Sequence, residues 1–164
     1  MQNREKYFDV ISYFQYVQEL IREKADNMEK VCGQLEKEEL NKSYIENLTN
    51  LNNELNYEFV KYYTLQEDIL FPELKKVLPT PTSTNAMRSE HNQILQFFEK
   101  IKEELDKKDG VKKDLIIYTV ISFVDILRRY LHKESDTIMR EAGSFLPDST
   151  QQEIYLKILD RVSG

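Results

Sequence analysis

The chain has 164 residues, with 23 Lys and Arg against 29 Asp and Glu, a formal net charge of −6 and a pI near 5.1. That balance excludes a general nucleic-acid binder, which needs a dense basic patch to neutralise phosphates. Cys32 is the one cysteine, which excludes an internal disulfide and a thiolate metal cluster built from one chain.

Only four Gly and four Pro interrupt a chain that is 32% charged and whose apolar residues recur at intervals of three and four, the mark of an all-helical protein. Its length suits one domain over 1–164 with a sizeable core. The first ten residues, MQNREKYFDV, lack the apolar run of a signal peptide, and no stretch approaches the roughly 20 apolar residues that span a bilayer. The expectation is a cytoplasmic protein with no membrane or nucleic-acid partner.

The spacing predicts a first helix over 5–37, with a stripe of Tyr7, Val10, Ile11, Phe14, Val17, Ile21, Met28, Val31 and Leu35. Lys24 and Ala25 fall on that stripe, and Lys24 either snorkels to its edge or keeps its ammonium inside, where it needs a counter-charge. Ser43 and Glu46 form a capping box that opens a second helix over 43–77. Pro79 and Pro81, with the hydroxyl residues around them, mark a loop over 78–85. A third helix carries Met87, His91, Ile94, Leu95, Phe98, Ile101 and Leu105 and stops at Asp109-Gly110. A fourth over 112–142 ends at Gly143 and Pro147, and a short fifth, capped by Asp148, Ser149 or Thr150, braces the rest. Four long helices on short connections imply an up-down-up-down antiparallel bundle with a fifth C-terminal helix.

Two stretches echo each other: YYTLQEDILFP at 62–72 and YLHKESDTIMR at 130–140. Each sets a polar pair four residues apart on an apolar face, Tyr62 with Gln66 and Tyr130 with Glu134. With Lys24 and His91 these project inward from four helices, the way metal and cofactor sites are built in bundles. His132 with Asp136 has the same spacing but shares a polar face with Asp125, Arg128 and Arg129, which is a solvated face. Tyr63 with Glu67 repeats the spacing one position on.

These residues resemble the hemerythrin-like, HHE-type cation-binding bundles. Leu70-Phe71-Pro72 matches that family's Leu-Phe-Pro, Glu90-His91 its Glu-His, Lys133-Glu134 its Lys-Glu, and Leu146-Pro147-Asp148 its approach to the final helix. The resemblance implies a bundle holding a two-iron centre that binds or senses oxygen or nitric oxide. Measured against it, Tyr62, Gln66 and Tyr130 stand where the family has His, Glu and His, and Lys24 is placed at its helix-one His; His91 and Glu134 remain.

Two readings follow. In one the iron is lost and the protein is a non-catalytic binding or regulatory bundle. An internal pair of Lys24 with Glu134 then supplies the counter-charge, and Tyr62, Gln66, His91 and Tyr130 bond around it. In the other, Tyr62, His91, Tyr130 and Glu134 hold iron or manganese, phenolate being an acceptable iron ligand. Haem, with His91 axial, is a lesser variant. A third possibility is that the outer face binds a partner protein, or the chain forms a homo-oligomer, with the interior only a vestige; the sequence offers no groove or exposed apolar patch that identifies such a partner.

Overall fold

The structure is a computed structural model that describes residues 9–78 and 82–164. Asp9 opens the first helix: its backbone is extended and its carboxylate accepts from the Ser12 amide at 2.8 Å, which starts α1 (Val10–Leu35). Val10, Phe14, Ile21, Ala25, Met28 and Leu35 bury completely along one stripe. Residues 5–8 of the expected helix, Tyr7 among them, lie outside the described residues.

α2 (Lys42–Leu65) is capped by Asn41, whose side chain accepts from the Tyr44 amide at 3.1 Å. Ser43 is therefore inside the helix, not its cap, because Asn41 reaches an unpaired amide of the first turn before it. The helical path continues through a wide π turn (Gln66–Leu70) into α3 (Phe71–Val77). Pro72 is the physical cause we assign: it has no N–H for the Asp68 carbonyl and its ring crowds that carbonyl. The Phe71 amide reaches back five residues to Gln66 instead.

α4 (Thr82–Leu105) begins inside the stretch expected to be loop, so residues 82–85 are helical; Pro79 and Pro81 are outside the described residues. It is followed by a 3-10 turn (Lys108–Gly110). The left-handed residue of this connection is Lys108, with φ 53°, and not Gly110. Glu104 clips the connection, accepting from the Lys112 amide at 2.9 Å and pairing with Lys107.

α5 (Lys113–Glu134) leads into a second π turn (Ser135–Met139) and α6 (Arg140–Phe145). There the Thr137 hydroxyl donates to the Lys133 carbonyl at 2.8 Å, competing with the backbone for it. Gly143 does not stop this helix. It gives room: a Cβ there would stand 3.2 Å from Ile11 Cδ1. α7 (Asp148–Ser163) has Pro147 at its cap position and no side-chain cap, so none of Asp148, Ser149 and Thr150 caps it.

α1 packs on α2 and α5, and α4 packs on the same two, which makes the antiparallel four-helix bundle; α7 lies against α1 and the first π turn. There is no strand among the described residues. Phe14, Phe59, Phe71, Phe98 and Phe123 are fully buried in one core, each contributing roughly 1.5–3 kcal/mol relative to exposure. No helix among the described residues is long and apolar enough to cross a membrane.

Candidate functional site

Tyr62 lies in the last turn of α2 and Gln66 opens the π turn after it, while Tyr130 and Glu134 lie in the last turn of α5 before the second π turn. Glu134 is at the centre and has no exposed surface. Tyr62 Oη and Gln66 Nε2 donate to its Oε1, and Tyr130 Oη donates to its Oε2. From α4, His91 Nε2 pairs with Tyr130 Oη. Since the Tyr130 proton is committed to Glu134, His91 must be the donor in that bond, which fixes the tautomer protonated at Nε2.

A sixth member comes from α1. Gln18 is 1% exposed, donates from Nε2 to Tyr62 Oη at 2.9 Å, and accepts at Oε1 from the Ser135 hydroxyl at 2.8 Å. Sequence reasoning missed both. The signal was present: Gln18 lies four residues after Phe14 and three before Ile21, on the buried stripe.

Lys24 does not join the network. Its side chain is 27% exposed and its ammonium is 3.4 Å from Glu54 at the surface. The expected pairing of Lys24 with Glu134 is thus replaced by an exposed ion pair on the flank of α1 and α2, because a lysine one position off the stripe can carry its charge to water along its own stem. His132 and Asp136 face each other at 3.3 Å on the solvent side, 79% and 67% exposed. Tyr63 and Glu67 flank His91: the Tyr63 ring stands edge-on at 4.2 Å, and Glu67 Oε1 is 3.8 Å from Nδ1 while Arg88 Nε holds both Glu67 oxygens at 2.8 and 2.9 Å.

The electrostatics follow from burial. Desolvation raises the Glu134 carboxyl above its usual range, while the bonds from Gln66, Tyr130 and Tyr62 pull it back. Tyr62 and Tyr130 are pushed well above their ordinary value near 10, first by burial and then by the Glu134 charge, so both phenols are held protonated. Burial, then the Arg88 charge, lowers His91 to about 3. Every proton in the network points toward one carboxylate, and a carboxylate that accepts on both oxygens is the arrangement a buried anion requires.

The family of Hemerythrin HHE cation binding domains matches residues 14–142. The chain belongs to this family. No curated protein and no solved structure matches it. The hemerythrin two-iron centre does not fit the residues this member carries. Glu134 is the one carboxylate in the network, and both its oxygens are taken by O–H and N–H donors. Gln66 Oε1 and His91 Nδ1 are buried without hydrogen-bond partners, on side chains whose other ends are committed to the network. Among the described residues no three His, Cys, Asp or Glu side chains group so as to hold a metal ion.

Proposed function

We propose that this hemerythrin-type bundle works without metal, as a non-catalytic binding or regulatory protein whose interior hydrogen-bond network takes over the structural part of the family's metal centre. The observation that carries the reading is the Glu134 carboxylate, the point on which Tyr62, Gln66 and Tyr130 all donate. A cation at that carboxylate would meet hydrogens instead of lone pairs. The charge balance supports the same view, since Gln66 is neutral and Glu134 is the one carboxylate in the network.

The test is elemental analysis and a visible spectrum on protein produced with iron and manganese supplied, followed by thermal melting before and after chelation. The expected result is colourless protein with metal far below stoichiometric amounts and an unchanged melting temperature. Near-stoichiometric iron with a tyrosinate-to-iron band would overturn the reading. It would make Tyr62, His91, Tyr130 and Glu134 the ligands and open oxygen or nitric oxide binding.

A further inference from the structure

The outer face of α5 exposes a run of apolar side chains on a chain that is 32% charged. Residues 115–124, LIIYTVISFV, carry no charge over ten consecutive positions. On a surface helix the side away from the core is normally charged. Here it exposes Leu115 (44%), Tyr118 (72%) and Ile121 (37%), and at 100° per residue these three lie within about 60° of one line along the helix. Beside Tyr118 is a shallow depression of about 400 Å³ lined by Glu36, Lys113, Asp114, Ile117, Tyr118 and Ile121.

We propose that this face pairs with the same face of a second copy of the chain, α5 against α5 and antiparallel, with the two-fold axis beside Tyr118. Two features single out a second copy as the occupant. First, the stripe is palindromic about Tyr118: apolar Leu115 and Ile121 stand three residues to either side and polar Asp114 and Ser122 four residues to either side. A two-fold contact requires the surface to be complementary to itself, residue i meeting j and j meeting i. Antiparallel pairing sets Leu115 against Ile121 of the second copy and Asp114 against Ser122 of the second copy. Parallel pairing would set Asp114, Asp125 and Arg129 each against its own charge. Second, a projecting aromatic and an adjoining depression occur together on one face, so each Tyr118 can enter the depression of the other copy, as aromatic anchors do in stable interfaces.

Sedimentation equilibrium on the full chain tests this. The expected mass is twice 19.6 kDa for the unaltered protein, the monomer for Tyr118→Glu with an unchanged helical circular-dichroism spectrum, and the dimer for Tyr57→Glu, a control on α2 that is 67% exposed. A monomer at millimolar concentration, or a Tyr118→Glu protein that still dimerises, overturns the proposal. Should Tyr118→Glu fold poorly, two single variants decide. Leu115→Cys mixed with Ile121→Cys should cross-link through a short bismaleimide, and neither alone should, Cys32 being fully buried; equal cross-linking in unmixed samples overturns the antiparallel register.

Discussion

Tyr62 reaches Glu134 across 72 positions of sequence, from the last turn of α2 to the last residue of α5, and donates its phenolic proton to Oε1. The bond ties together two diagonal helices of the bundle, α1 and α4 each lying between them. Gln18 supports that bond, Gln66 and Tyr130 complete the same carboxylate, and His91 bonds to Tyr130 behind it.

Replacing Glu134 separates charge from hydrogen bonding. Glu134→Ala leaves Tyr62, Tyr130 and Gln66 without an acceptor and is expected to destabilise by about 3–5 kcal/mol. Glu134→Gln is expected to stay within about 1.5 kcal/mol of the parent. Its amide must donate on one side, toward Tyr130, which then donates to His91 and moves the imidazole proton to Nδ1. Nitrogen NMR of His91 reads that tautomer change directly; an Nε2–H imidazole in Glu134→Gln would contradict the hydrogen-bond polarity assigned here.

Gln18 should behave as a full member of the network. Gln18→Leu removes the donor to Tyr62 and the acceptor of Ser135 and is expected to lower stability by about 1–3 kcal/mol in chemical denaturation. A double cycle with Ser135→Ala should then be non-additive, because the two side chains are in contact.

Lys24→Met should change stability by less than about 0.5 kcal/mol, as expected for an exposed ion pair with Glu54. A loss of several kcal/mol would mean that its ammonium is held inside after all.

The pH dependence of melting should carry two opposed contributions. His91 is lowered to about 3 in the folded protein, so its contribution is complete above the unfolded value near 6.5 and is lost as pH falls from there toward 3, at up to about 1.4 kcal/mol per pH unit. Glu134 is raised by burial, so it favours the folded state on the acid side and loses that contribution as pH rises through its folded value. Melting across this range should show a shallower acid slope than His91 alone would give, and Glu134→Gln should make it steeper.

The bundle and several of its inward polar residues were open to sequence reading because helical periodicity repeats every few residues and a polar side chain on an apolar stripe stands out. Tyr62, Gln66, Tyr130 and Glu134 stand out that way, and so does His91 on the stripe of the third helix. Helix one was harder. Lys24 adjoins Ala25 on the stripe, and only three dimensions show that its stem leads out to Glu54. Gln18 is on the stripe itself, but an uncharged glutamine among apolar neighbours gives no hint of a partner that comes from α2. Caps were misplaced for a related reason: Asn41 and Ser43 are equally good capping residues, and which one meets the free amides depends on where the preceding turn delivers the chain.

The two π turns leave slack in the chain. Each holds one residue more than an α-helix needs to cover the same rise, so one residue could be removed from within 136–139 without turning α6 away from the core. α4 has no such reserve between Thr82 and Leu105. A one-residue deletion there would swing everything beyond it by about 100° and carry part of the Met87-to-Leu105 stripe into solvent. Changes in chain length are therefore absorbed directly behind the carboxylate network and nowhere along the helix that supplies His91.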